Sequence, residues 1–282
     1  MKNSPKKFNF NFLDSQTFLI RDLKSEYKKN KNIDYIVLDN FLKKEHVEEI
    51  AKEHNNIPEE YWLKYNHFNQ KKMGISDLNL MGNKTQLLID ELSSIQFTSW
   101  LNNLTGFKNL ISDPELDGGG LHKISTGGYL NIHTDFQSHT KNKNWKRRLN
   151  LLLYLTPEYK DSWNGNLELR DYRDRSIIES ISPKFNRCVI FTTNEKSFHG
   201  HPLPLTPNDN LSRRSLALYY FEKDYKSLPL KPTFYASTPN DKFMKKVLIK
   251  MDVYALYFFS LLKRYTKVDN KTFDKIRKIL FK

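Results

Sequence analysis

Cysteine is almost missing from this 282-residue chain. The single Cys188 excludes an intrachain disulfide framework, and its place in the apolar run Cys188 to Phe191 marks it for buried packing. Long apolar runs are missing too, and nothing approaches the roughly 18 residues of a spanning helix. Met1 to Phe12 hold lysines but no long apolar core and no small-residue cleavage site, so no secretory signal is read there. The expectation is a cytoplasmic protein of a reducing compartment, with peripheral membrane attachment as the variant. Internal repeats are absent, as are low-complexity tracts beyond the lysine-rich ends. Acid is in deficit, with 46 Lys and Arg against 32 Asp and Glu, a net charge of +14. Most of that excess is local: from Asn240 to Lys282 twelve bases face four acids, a net +8. That tail has the charge for nucleic acid but no recognised binding fold, so nucleic acid is not expected as a partner.

What is present suffices for a core: 38% hydrophobic residues, with 15 Tyr and 19 Phe. Phe8, Phe10 and Phe12 alternate as a short strand or docking arm within a polar N-terminal stretch, 1–32. Tyr35 to Leu38 reads as a strand, Lys44 to His54 as a helix, and Thr85 to Leu104 as one further helix stopped by Gly106. From Leu121 to Phe221 the texture changes to short apolar runs separated by turn signals. They are Leu121–Ile124, Tyr129–Ile132, Leu149–Leu155, Leu167–Leu169, Ile177–Ile181, Cys188–Thr192 and Leu216–Phe221. Such spacing predicts a β-sandwich or barrel.

Chemistry concentrates at two places in that β region. In Tyr129-Leu130-Asn131-Ile132-His133-Thr134-Asp135, His133 and Asp135 are two apart in an extended chain and project to one face. An imidazole and a carboxylate so placed can supply two ligands to one cation, and Ser197 to Pro202 offers a third through His199 or His201. Two histidines and a carboxylate on one side of Fe(II) leave positions open for cosubstrate and O₂. H-x-D alone is a common accident. The combination gains weight from Arg213-Arg214-Ser215, which places a guanidinium and a hydroxyl on one face of a closing strand, suited to gripping a carboxylate.

With these blocks in order, from Ile33 to Asp224, the chain resembles the 2-oxoglutarate- and Fe(II)-dependent dioxygenases, specifically the prolyl-4-hydroxylase-like group. Arg147 to Leu155, Trp163 to Leu169, Phe185-Asn186-Arg187, Ser197 to Pro202 and Arg213 to Phe221 follow in family order. The resemblance implies an α+β chain with a mainly β core. This core would be a double-stranded β-helix, jelly-roll or cupin-like, flanked by N-terminal helices and followed by a C-terminal helical extension. Around the resembling region, composition and pattern divide the chain into an N-terminal arm at 1–32, a dioxygenase domain at 33–231 with its metal and cosubstrate core at 118–224, and a basic helical extension at 232–282. Iron would sit on His133, Asp135 and His199, and Arg213 would pair with the distal carboxylate of 2-oxoglutarate. Tyr154 and Ser215 would add hydroxyls to that grip, with a core role the competing reading for Tyr154. Fe(II), 2-oxoglutarate and O₂ are the implied cofactors, with ascorbate a candidate reductant. The reaction would be hydroxylation of an unactivated C–H bond, with succinate and CO₂ as coproducts. Here the chain departs from better-known members, because His199 and His201 flank one glycine. Family position favours His199 as the ligand, with His201 lining the site.

His122 reads as a structural histidine, with reach to the open side of the metal the competing role, and Lys141 to Arg148 reads as a solvated loop, with contact to an anionic substrate the alternative. The substrate, protein or small molecule, is left open, as is a non-catalytic metal-binding barrel. Because all the implied site residues precede Lys231, the extension is expected to serve location or substrate delivery. Its helix, from an Asn240-Asp241 cap to about Arg264, fits either packing with lysines in solvent or lying on an anionic membrane.

Overall fold

Strand β7 (Trp145–Tyr154) shows how the architecture follows from two-residue periodicity. Leu149, Leu151 and Leu153 belong to the large core on one face of the sheet, while Asn150 and Leu152 line a cavity on the other. Its neighbour β12 (Arg213–Lys223) divides in the same way. Leu216, Leu218 and Tyr220 enter the large core, and Arg213, Ser215 and Tyr219 face the cavity. One face thus carries the fold and the other the chemistry.

The computed structural model describes residues 8, 10–15, 23–27, 33–206, 211–238 and 241–266. Its other strands are β1 (Tyr35–Leu38), β2 (Leu63–His67), β3 (Gln70–Ile75), β4 (Ile111–Ser112), β5 (Gly120–Ile124), β6 (Tyr129–Thr134), β8 (Leu167–Arg170), β9 (Ile177–Ile181), β10 (Cys188–Thr192), β11 (Phe198–His201) and β13 (Phe234–Tyr235). All pairings are antiparallel, in the order β1-β10-β7-β12-β5-β3-β6-β11-β8-β9, with β2 on β3, β4 on β12 and β13 on β6. The sheet curls into a double-stranded β-helix, and the seven runs read from the sequence coincide with strands, with only Leu155 falling just past the end of β7.

Helices cover the apolar face. α1 (Lys44–Asn56) buries Val47, Ile50 and Ala51, and α2 (Asn83–Ser93) and α3 (Ile95–Thr105) bury Leu88, Leu92, Phe97 and Leu101. The single helix expected over Thr85 to Leu104 is in fact two. Ser94 is extended, and its side chain accepts from Phe97 N at 3.1 Å, so it caps α3 instead of continuing α2. Gly106 does stop α3, in a left-handed conformation at φ 85°. The N-terminal arm docks here: Phe10 lies 5.8 Å from Phe97, and the amides of Asn11 and Phe12 donate to the Glu91 carboxylate.

Two departures concern the chain after Lys231. β13 joins the sheet by pairing with β6, so the fold continues past that point. The final described helix, α4 (Phe243–Tyr265), begins after Lys242, which makes no side-chain cap. Asp241 instead accepts from the Thr238 amide at 2.6 Å, and Asn240 lies outside the described residues.

Candidate active site

His133 and Asp135 come from the end of β6 and His199 from β11, whose register sets His199 directly opposite His133. Between His199 and His201 the pairing slips: His201 faces Leu130, so β6 spends one more residue than β11. This bulge lets both His133 and Leu130 line the cavity. It also explains Gly200, since a Cβ there would lie 2.8 Å from the carbonyl oxygens of Leu130 and Asn131.

The ligating atoms of His133, Asp135 and His199 all lie within 4.8 Å of one another, and no other such group occurs among the described residues. His133 Nε2 is 3.5 Å from Asp135 Oδ1, and His199 Nε2 is 3.3 Å from Asp135 Oδ2. Each Nδ1 sits 2.9 Å from a backbone carbonyl, Asn131 O for His133 and Ser197 O for His199. A carbonyl only accepts, so each Nδ1 carries the proton and each Nε2 keeps a lone pair toward the centre. Burial lowers the His133 pKa, with His199 adding to the effect, which favours the neutral form a metal requires. Burial alone would raise Asp135, but Arg147 and the two histidines hold its carboxyl well below the usual range. These donors fit a divalent cation of borderline hardness such as Fe(II).

Asp135 is held from behind. Asn150 Nδ2 donates to its Oδ2 at 2.7 Å, and Arg147 Nη2 lies 3.2 Å from the same oxygen. Arg147 also bonds Asn150 Oδ1 and packs over Tyr219, 3.3 Å from the ring centroid. The solvated-loop expectation fails for Arg147, which is only 1% exposed. The reason is a second register shift: Phe221 faces Arg147 while Tyr220 faces Leu149, so β7 bulges at Arg148 and Arg147 turns inward. Strict alternation from Asn150 would have pointed it outward.

Arg213 is buried at the far side of the cavity, its Nε donating to Gly165 O at 2.9 Å and its Nη2 to Tyr154 Oη at 3.3 Å. Among the described residues it makes no ion pair, a guanidinium with room for a carboxylate. Ser215 stands opposite Tyr154 in the β12–β7 register and lines the cavity. Arg214 points elsewhere, to the Ser212 hydroxyl. Burial raises Tyr154, keeping its hydroxyl protonated.

The cavity encloses about 300 Å³. His122 and His201 both line it, each held neutral by burial, and both ring nitrogens of His201 are buried without a partner. His201 therefore shares the cavity without joining the three-residue group. Lys72 from β3 also enters, its Nζ 5.6 Å from the Tyr65 ring, and burial pulls its pKa down to about 8. The C-terminal segment supplies a wall: Tyr235 lies 5.3 Å from His133 ring to ring, and Leu256 and Ser260 of α4 reach the cavity. Arg147, Lys72 and Tyr235 were not legible as site residues, whereas Asn150 shares the inward parity of Tyr154 and could have been found.

A family model described as the 2OG-Fe(II) oxygenase superfamily matches residues 119–221. No curated protein matches the chain by sequence. Among solved structures, a Pseudomonas putida prolyl-4-hydroxylase is 14% identical with a TM-score of 0.52, covering 72% of this chain and 99% of that one. A prolyl 4-hydroxylase of Phytophthora capsici is 16% identical with a TM-score of 0.48, covering 92% and 87%. HygX of Streptomyces hygroscopicus, with nickel, 2-oxoglutarate and hygromycin B bound, is 11% identical with a TM-score of 0.46, covering 68% and 84%. The matched block spans β5 to β12 and contains every histidine and carboxylate of the metal group. Residues 119–221 thus match the 2OG-Fe(II) oxygenase superfamily, hold the His133, Asp135 and His199 group, and lie in a fold shared with the Pseudomonas putida prolyl-4-hydroxylase, the make-up of a 2-oxoglutarate- and Fe(II)-dependent dioxygenase.

Proposed function

We propose that this dioxygenase hydroxylates a C–H bond of its substrate, with iron on His133 Nε2, the Asp135 carboxylate and His199 Nε2. Bound there with 2-oxoglutarate and O₂, Fe(II) supplies the oxidising chemistry that releases succinate and CO₂ and places one oxygen atom on the substrate carbon. The chain's own groups hold and orient. Arg147 and Asn150 fix the Asp135 carboxylate, and the carbonyls of Asn131 and Ser197 fix the two imidazoles. Arg213 takes the distal carboxylate of 2-oxoglutarate, and the Tyr154 and Ser215 hydroxyls complete that grip. No side chain has to act as a general base. Ascorbate is the reductant that would restore iron after turnover without substrate.

The observation that carries this reading is one cavity holding both the tautomer-fixed triad and a buried guanidinium without an acidic partner among the described residues. A prolyl residue of a protein is the first candidate substrate, since the fold is that of a prolyl-4-hydroxylase. A sugar, lipid or other small molecule hydroxylated by the same mechanism is the second. Purified protein with Fe(II), 2-oxoglutarate and O₂ is expected to release succinate slowly even without substrate. His133→Ala, Asp135→Ala and His199→Ala should each abolish that release. A wild-type protein that binds iron yet forms no succinate under any substrate mixture would be a metal-binding barrel and not an oxygenase.

A further inference from the structure

α4 is amphipathic in the reverse of the usual sense. The face turned to the domain carries its polar anchors. Asp252 accepts from Asn69 Nδ2 at 2.6 Å and bonds His67 Nδ1 at 2.7 Å, and Arg264 donates to Leu228 O at 2.6 Å. Ile249 is the one buried apolar residue among these anchors, and Leu256 and Ser260 wall the cavity. The opposite face repeats at three and four residues: Met244, Leu248, Met251, Tyr254, Phe258 and Leu262, all exposed, with Met251 at 63% and Tyr254 at 75%. No described residue covers this stripe. A helix that merely packed on the barrel would bury those side chains and present its polar ones to water.

The charges around the stripe have one sign. Lys242 and Lys250 are exposed beside it, and Lys143 Nζ lies 5.0 Å from the ring of Tyr265 at its end. The only acids in the helix and the residues just before it are turned away, Asp241 to Lys245 and the Thr238 amide, Asp252 to His67 and Asn69. Exposed apolar side chains bordered by cations suit the interface of an anionic bilayer, where the side chains enter the acyl boundary and the cations meet headgroups. Among the described residues no helix is long and apolar enough to cross a membrane, so α4 would lie in the surface plane.

We propose that α4 docks the enzyme on an anionic lipid surface through the Met244-to-Leu262 stripe, setting its cavity against that surface. Since the inner side of the same helix walls the cavity, substrate would arrive from the membrane side, as a lipid headgroup or as a chain tethered there. Docking requires no turnover, so the proposal stands or falls apart from the oxygenase reading. The test is sedimentation of the full-length protein with phosphatidylcholine vesicles, with and without phosphatidylglycerol. Wild-type protein is expected to pellet with the anionic vesicles, with salt removing part of the binding but not all. Met251→Glu with Phe258→Glu should lower partitioning about tenfold or more at an unchanged melting temperature. Lys242→Glu with Lys250→Glu should remove chiefly the salt-sensitive part. Two outcomes overturn the idea. One is no pelleting with anionic vesicles. The other is a wild-type dimer in solution that Met251→Glu splits, which would make a second copy the occupant of the stripe.

Discussion

Arg213 and Arg214 are sequence neighbours in opposite circumstances, and the difference predicts separable phenotypes. Arg213 is buried in the cavity without an ion-pair partner among the described residues, whereas Arg214 bonds the Ser212 hydroxyl outside it. Cutting a charge-assisted contact to a buried carboxylate typically costs about 2–5 kcal/mol. Arg213→Gln should therefore weaken 2-oxoglutarate binding by roughly that amount in calorimetric titration while iron still binds, and Arg214→Gln should change it little. Equal losses at both positions would place the grip elsewhere. Lys72 gives a pH prediction. Burial brings its pKa down from the ordinary lysine value to about 8, so it is charged below that pH and neutral above it. Binding of the 2-oxoglutarate dianion should accordingly weaken from about pH 8 upward, and Lys72→Met should flatten the profile. A wild-type affinity constant from pH 7 to 9 would contradict this. The meeting of His133, Asp135 and His199 and the inward face of Arg213 were legible because their spacing is short or their motif ordered. Lys72 was not, since a lysine in a polar hairpin carries no local sign of facing inward.

At the scale of elements, what escaped the sequence was irregularity. Alternation placed the strands, yet two bulges decide what the cavity contains: one in β6 beside Gly200, the other at Arg148, which turns Arg147 onto Asp135. A bulge adds one residue to one strand and leaves no mark in a hydrophobic pattern. Gly200 tests the first. An alanine there must push apart β11 and the carbonyls of Leu130 and Asn131, a strain of about 1–3 kcal/mol borne by the strand that presents His199. Gly200→Ala should lower both the melting temperature and iron retention; a variant that loses neither would mean that the two strands separate without cost. The division of α2 from α3 rests on one hydroxyl. Ser94→Ala removes the acceptor of the Phe97 amide and should cost about 1 kcal/mol in denaturant unfolding, without touching cosubstrate affinity.

For the molecule as a whole, the boundary read at Lys231 follows chemistry, not packing. His133, Asp135, His199 and Arg213 all precede it, and from that the later chain reads as an appendage. In the folded protein Phe234 and Tyr235 pair with Thr134 and His133 on β6, extending the sheet beside the metal group. Tyr235 is buried, with burial pushing its hydroxyl well above the usual range, and its ring packs against both His133 and His67. Beyond it, Asp252 of α4 bonds His67 and Asn69, and Asn69 in turn accepts from Asn131 Nδ2, in the bulge that positions His133. The chain after Lys231 is thus bonded into the support of His133, a relation that no spacing rule reveals because the partners lie about 100 residues and more apart in sequence. Ending the chain at Lys231 should leave the β6 edge unpaired and Asn69 without its carboxylate. Such a protein should melt earlier than the full-length chain and lose iron faster to a chelator, while Arg213 still grips 2-oxoglutarate. Asp252→Asn separates the support from the bulk of the helix: it keeps α4 but removes the charge held between His67 and Asn69. If faster iron loss appears on truncation and in part on Asp252→Asn, the support runs through that carboxylate. A truncated protein as stable and as retentive as the full chain would return the segment after Lys231 to the role of an appendage.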